Sequence, residues 1–391
     1  MTSIKIQDLT VWWTISLLAL TYLLHRFLAV SSHLRHLPAL PIFSITWSYI
    51  CQEPDDVRFK RLIIPYANKH SEGVVLVWIF GQWTVHVVDP QIVYQVNGNI
   101  TNFPKDIPPW DLLLIRFTGR SNIAMRNGEE WKSLSTIIRE AFTTPIPIEL
   151  FASLAKNLFH VINQTPLADD KGLKVRWNGL SQRFTLDAVG YSVLGYNVDA
   201  ISTQTQFVKD YNMFMHYTND PLYLALPIFE KIITRKHAFE LVETLKKRLV
   251  DMLLAKRMDP GDDIVSFLLR DPSLTVEELR DNLSTLLIAG HEALRIISPS
   301  SYGIPRMSQM ATNLSKYYVP PNTAVVSNIC GVHHTQNFAM YEMRTLASTL
   351  LREYEWTLPK DPIHADGIKN AFSPFALTLP RDLDIIFRKR V

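Results

Sequence analysis

TVEELRDNLSTLLIAGHEALR, running from Thr275 to Arg295, is the stretch on which the reading of the fold turns. Thr275 and Glu278 form a capping box, in which hydroxyl and carboxylate satisfy each other's free backbone N–H groups and set a helix start. Leu279, Leu283, Leu286 and Leu287 then recur at helical spacing and lay an apolar stripe toward Gly290. Glycine inside a helix costs about 1 kcal/mol relative to alanine. Gly290 therefore marks either a helix end or a place of close approach such as a ligand groove. Glu292 and Arg295, three apart, share a helix face on which they can pair.

Working outward, Glu130 to Phe142, Ile148 to Ile162, Ser181 to Leu194 and Phe229 to Arg257 show the same spacing, and Asp262 to Leu269 gives a further short helix. Val74 to Phe80 and Thr84 to Val88 are rich in Val, Ile and Trp; with Gly81-Gln82 between them they predict a hairpin, ended by Asp89-Pro90. Ala324 to Ile329 reads as a strand and Phe338 to Tyr354 as a helix. There is no internal repeat. The pattern predicts a mainly α fold with a small β part.

The chain has 391 residues, 47% of them hydrophobic, enough to bury a large core. Its 40 basic and 37 acidic residues nearly balance and form no basic cluster with interleaved aromatics, so no nucleic acid partner is expected. Cys51 and Cys330 stand far apart in no metal-binding spacing, so neither a disulfide framework nor a metal site is expected. Leu9 to Leu24 carries no charge, and Phe27 to Val30 extends it past His25 and Arg26, whose side chains can reach the headgroups. Residues 9–28 suffice for a single-pass membrane helix; a buried core helix or a cleaved signal peptide shares the pattern. Arg26, His33, Arg35 and His36 follow the apolar run, which places the main body on the cytoplasmic side. The expected organisation is an anchor over 1–30, a linker over 31–45 stiffened by Pro38 and Pro41, and a body over 46–391.

Three stretches then resemble the cytochrome P450 family of haem (heme) iron-thiolate monooxygenases. Asn127 to Phe142 is similar to the helix passing beside the haem, and the resemblance implies that Trp131 binds the cofactor at a propionate. The basic residue that the family often places four positions later is Ser135 here. Taken alone, Trp131 also reads as an ordinary core aromatic. Leu286 to Glu292 resembles the central helix at the oxygen site, with Ala293 in place of the family's Thr. Glu292 to Arg295 resembles the Glu-x-x-Arg helix, and the resemblance makes Glu292 and Arg295 a structural pair. One Glu292 would have to serve both helices, which implies that an intervening segment is missing near residue 292.

Downstream, Val319 to His334 looks like the family's strand and the segment after it, and Gln336 to Glu342 like the helix that follows the haem cysteine. Only Thr335 separates them. The loop carrying the ligating Cys is absent there, and the thiolate is the ligand that favours O–O cleavage. Cys330 lies before that gap and reads as a small core residue. His333 and His334, adjacent on an extended segment, point to opposite faces and cannot chelate one ion together. Leu379 to Phe387 resembles the closing strands. Each motif is modest; their order along residues 35–391 makes the joint match specific.

The resemblance implies a truncated cytochrome P450-like fold behind a single transmembrane helix, haem as cofactor, a reductase as electron donor and a lipophilic small-molecule substrate at the membrane, the endoplasmic reticulum being the expected site. No residue is assigned a catalytic role. The expected activity is oxidation by a haem monooxygenase, lost in this form; the alternative is a non-catalytic membrane-anchored pseudoenzyme or scaffold. Residues 285–345 are expected to be the least regular part of the body.

Overall fold

The computed structural model describes residues 6–70, 73–79, 81–108, 112–143, 147–167, 172–203, 205–225, 228–293, 303–327, 337–360, 363–372 and 380–390, and their side chains except for 6–10, 224–225, 291–293 and 337–343. Helix α1 (Ile6–Leu28) leaves Trp12, Trp13, Leu17 and Leu18 mostly exposed and is apolar and long enough to cross a bilayer. Its end rests on the body: Trp83 Nε1 donates to the Leu28 carbonyl at 2.9 Å, and the Phe27 ring meets Trp78 edge-on. Leu34, Leu37 and Leu40 are buried after it, and Ala39 bridges Leu76. Next come α2 (Ile42–Ile50), α3 (Asp55–Arg58), a π turn (Phe59–Ile63) and α4 (Ile64–His70).

The hairpin forms as predicted, from β1 (Val74–Ile79) and β2 (Gln82–Val87). Ile79 pairs with Gln82, so β2 starts two residues before Thr84, and Gly81 takes the positive φ of 78° that the tight turn needs. Asp89 caps α5 (Pro90–Gly98), its carboxylate accepting from the N–H groups of Gln91 and Ile92. The helical block then runs through α6 (Leu113–Thr118), α7 (Gly128–Ala141), α8 (Ile148–Asn163), β3 (Leu173–Arg176), α9 (Trp177–Ser192), α10 (Gln206–Thr218), α11 (Pro221–Ala225), α12 (Phe229–Ile232), α13 (Lys236–Met258), α14 (Ile264–Leu268) and α15 (Val276–Ala293). Phe117, Leu186, Tyr211, Phe214, Leu249 and Leu287 lie at its centre, with the Phe117 and Phe214 rings 4.5 Å apart.

Two helix expectations need correction. Phe229 to Arg257 is not one helix: it breaks between Ile232 and Lys236. Arg235 leaves helical geometry there because its guanidinium pairs with the buried Glu230, donates to the Tyr217 carbonyl at 2.7 Å and lies 3.8 Å from the Tyr223 ring centre. Gly290 does not end α15, which continues to Ala293. A Cβ there would meet Val189 Cγ2 at 2.6 Å, so the glycine lets α15 press on α9. The capping box forms as read: Glu278 N–H donates to Thr275 Oγ1 at 3.2 Å and Thr275 N–H to Glu278 Oε2 at 3.0 Å.

Beyond α15, β4 (Arg306–Met307) and β7 (Ala324–Ser327) return to the first sheet, whose order is β1-β2-β7-β4 with β2 and β7 parallel, while β5 (Thr312–Leu314) and β6 (Tyr317–Val319) form a separate two-stranded hairpin between them in sequence. Helix α16 (Asn337–Glu353) passes into β8 (Tyr354–Thr357), which pairs with β9 (Asp384–Lys389), itself paired with β3. Phe151, Leu158, Phe184, Tyr354 and Phe387 form the core beneath that second sheet. Arg295, Cys330, His333 and His334 lie outside the described residues, as do 294–302 and 328–336 of the span expected to be irregular; its described parts hold the end of α15, β4 to β7 and the start of α16.

Candidate functional site

Asn127 stands at the N-cap of α7 yet caps nothing. Its amide turns back on Lys105: Oδ1 accepts from the Lys105 N–H at 2.9 Å and Nδ2 donates to the Lys105 carbonyl at 3.1 Å. Lys105 also bridges Arg306 in antiparallel fashion, with Asp106 N–H donating to the Pro305 carbonyl at 2.7 Å and Met307 N–H to the Pro104 carbonyl at 3.0 Å. Two cations far apart in sequence are thereby held side by side.

The Lys105 ammonium donates to the carbonyls of Ile123 at 2.6 Å and Arg126 at 3.1 Å, which occupies two of the three N–H bonds such a group has. It lies 5.3 Å from the Trp131 ring centre. Arg306 Nη1 donates to the Phe103 carbonyl at 3.2 Å, while its Nε is buried with no partner among the described residues. Burial, and after it the charge of Arg306, draws the Lys105 amine from 10.5 down to about 8, and burial lowers Arg306 as well. Burial raises the neighbouring Asp106. Two partly desolvated cations that form no ion pair among the described residues make an anion-seeking edge.

Helix α15 holds the loop that shapes this edge. Asp281 Oδ2 accepts from the Ser121 N–H at 3.0 Å, Asn282 Oδ1 from the Ile123 N–H at 2.9 Å, and Glu278 pairs with Arg126 at 3.0 Å. Gly119 turns the loop at φ 68° and sits so close to Asp281 that a Cβ would fall 1.9 Å from its Oδ2.

Of the residues singled out in the sequence, Trp131 is half-buried at this edge. Ser135 is buried and spends its hydroxyl on the Lys132 carbonyl at 2.9 Å, so that position supplies no cation. Glu292 lies in the last turn of α15 with its side chain outside the described residues, and Arg295 is wholly outside them. Lys105 and Arg306 were missed, because neither belongs to a periodic pattern and only the bridge between them makes a site. An open cleft of about 760 Å³, lined by Tyr196, Phe207, Arg248, Met252 and Lys256 among others, contains none of these residues.

Haem presents two carboxylates at one edge of an apolar ring. The uncommitted N–H of Lys105, the orphaned Nε of Arg306 and the Trp131 ring fit such an edge. Residues 328–336, which join β7 to α16 and include Cys330, lie outside the described residues, so the structure describes no axial position.

A helical block around a long central helix, flanked by small sheets and bearing a cationic edge, is the P450 class of fold. The structure matches the crystal structure of cytochrome P450DA heme domain with a TM-score of 0.72 at 15% identity, covering 91% of this chain and 98% of that one. It matches retinoic acid bound cyanobacterial CYP120A1 with a TM-score of 0.69 at 15% identity, covering 90% and 99%. The chain belongs to the cytochrome P450 family, whose sequence profile matches residues 58–293. Among curated relatives, cytochrome P450 monooxygenase xanG of Aspergillus fumigatus is 21% identical over 338 residues, 78% of this chain and 61% of that protein. Carotene epsilon-monooxygenase, chloroplastic, of Arabidopsis thaliana is 25% identical over 235 residues, 53% of this chain and 42% of that protein. The chain thus spans less than two thirds of the length of either relative. Haem is the cofactor this family implies.

Proposed function

We propose that this is a membrane-anchored P450-like chain that holds the carboxylate edge of haem weakly and, as written, does not catalyse oxygen insertion. The observation that carries the reading is the short join between β7 and α16, residues 328–336, where only Thr335 separates the two stretches that should flank a haem-cysteine loop. Bound through a cysteine thiolate, haem supplies the oxygen-activating chemistry of the family. No residue of this chain is assigned the thiolate role. Ala293 also offers no hydroxyl at the position where the family carries Thr.

Lys105, Arg306 and Trp131 are the residues proposed to meet the propionates, and Glu292 with Arg295 the pair proposed to support the helix near them. A complete form of the protein would oxidise a lipophilic small molecule with electrons from a reductase. That substrate class is supported by the apolar α1, by a relative named for carotene and by a related structure holding retinoic acid. The basic residues after α1 support a single-pass anchor, in the endoplasmic reticulum, with the body on the cytoplasmic side.

The test is a reduced carbon monoxide difference spectrum of the full chain in detergent. The expected result is no thiolate-type band; a full one overturns the reading. Sequencing the transcript separates the two origins: extra codons at 292 and 335 favour a complete enzyme, and their absence favours a non-catalytic remnant.

A further inference from the structure

The open cleft between the loop after α9, the start of α10 and the C-terminal half of α13 plays no part in the carboxylate edge. Its volume of about 760 Å³ is that of a small-molecule site. Leu194, Phe207, Met252 and Ala255 give it an apolar lining. Arg248 and Lys256 enter it from α13, but both are already paired: Arg248 Nη1 lies 2.9 Å from Asp210 Oδ2, and Lys256 Nζ 2.8 Å from Asp263 Oδ2. The second pair is locked in place. The Asp263 side chain is 6% exposed and also accepts from the N–H and the hydroxyl of Ser266. Gly195, at φ 57°, closes over the pair so tightly that a Cβ would stand 2.1 Å from Asp263 Oδ2 and 2.5 Å from Lys256 Nζ.

The charge left over is negative. Asp251 and Asp259 line the same cleft, are exposed, and make no ion pair or side-chain hydrogen bond among the described residues. With Arg248 and Lys256 neutralised by their own partners, these two carboxylates are the charges that an incoming molecule meets. Residues four apart on a helix share a face, so Asp251, Ala255 and Asp259, the last at the C-cap, form one line along α13. At about 1.5 Å rise per residue the two acids stand about 12 Å apart along the axis. Ala255 lies between them and Met252 beside it, so the carboxylates bracket an apolar strip.

We infer that this cleft binds a linear diamine, one ammonium group on each carboxylate and the methylene chain along Ala255 and Met252 against the wall formed by Leu194 and Phe207. Holding one end makes the second contact intramolecular, so a diamine gains over a single amine with no added surface. A dicarboxylate gains nothing, because the cations of the cleft are spent.

Equilibrium dialysis of radiolabelled 1,8-diaminooctane against the full chain in detergent, with empty micelles as the blank, reads the binding directly. One equivalent is expected to bind, about tenfold more tightly than octylamine, while octanedioate does not bind. Asp251→Asn with Asp259→Asn is expected to lose the tight equivalent. Asp251→Glu with Asp259→Glu is expected to keep it, which separates lost charge from lost folding. Binding that survives the paired Asn substitutions places the diamine elsewhere and overturns the inference. Octylamine binding as tightly as the diamine overturns the two-point contact. Octanedioate binding in place of the diamine makes Arg248 and Lys256 the available charges and overturns it as well, as does failure of the parent chain to take up diamine at about 1 mM.

Discussion

Lys105 and Arg306 are brought together by backbone pairing between the segment before α6 and strand β4, and the loop around them is pinned to α15 by Asp281, Asn282 and Glu278. Between β7 and α16 the join is only residues 328–336, with Cys330 on the strand side of the gap. Under the function proposed above, the difference teaches why the carboxylate edge of a cofactor site can persist without its axial half. Every element that builds the carboxylate edge also packs the body: β4 completes the first sheet and α15 runs through the main core. That edge cannot be dismantled without loss of burial, at about 1.5 to 3 kcal/mol for each large side chain exposed. On that reading, loss of a cysteine loop between β7 and α16 removes the axial chemistry and leaves the packed edge in place.

The largest effect expected from this contrast is at Gly119. Its backbone, at φ 68° and ψ −172°, lies in a region that essentially only glycine occupies, and a Cβ would strike the Asp281 carboxylate. Gly119→Ala is expected to destabilise the fold by about 4 kcal/mol in chemical denaturation and to abolish anion binding at the edge. Wild-type stability in that variant would show that the loop on α15 is not part of the packed scaffold.

A smaller effect separates the edge from the axial position altogether. Iron-free protoporphyrin needs no thiolate, so its binding, followed by fluorescence, reads the edge alone. Lys105→Met is expected to weaken the dicarboxylate about tenfold, equivalent to about 1.4 kcal/mol, and to leave the porphyrin dimethyl ester unchanged. If acid and ester bind alike to the parent chain, the cations are not a carboxylate edge, and the contrast drawn above fails.

These residues also mark what could be read from the chain. The capping box at Thr275 and the leucine stripe behind it are local and were legible, as was the β1–β2 hairpin. Trp131 was singled out because it sits in a motif. Lys105 and Arg306 were not, since the information that pairs them is a backbone bridge between distant segments, and the amide of Asn127 that fixes Lys105 shows only in the fold. Gly290 was noticed, but its close contact with Val189 on a neighbouring helix could not be read from local spacing. The break before α13 was hidden because apolar spacing continues across it, while the polar contacts of Arg235 with Glu230 and Tyr217 decide the backbone.

Asn127 offers a subtler test of how the edge is held. Its amide makes two hydrogen bonds to the Lys105 backbone, each worth about 0.5 to 1.5 kcal/mol net. Asn127→Ala is expected to lower stability by about 1 kcal/mol and to weaken protoporphyrin binding less than Lys105→Met does. No change in either quantity would mean that the bridge to Arg306 alone fixes Lys105.

A last effect is a slope with pH. The Lys105 amine is drawn down to about 8 in the fold from 10.5, so between these values the unfolded chain holds a proton that the folded chain has released. Folded stability should therefore rise as pH increases through that window, and the gain should be lost as pH falls through about 8. Lys105→Met should flatten the rise in denaturation curves measured across it. Protoporphyrin acts in the opposite sense: its carboxylates favour the charged amine, so binding should be strongest below pH 8 and weaken above it, whereas the dimethyl ester should show no such trend. A flat binding profile for the acid, alongside a preserved stability slope, would place the free ammonium N–H away from the ligand and leave Arg306 as the cation that meets it.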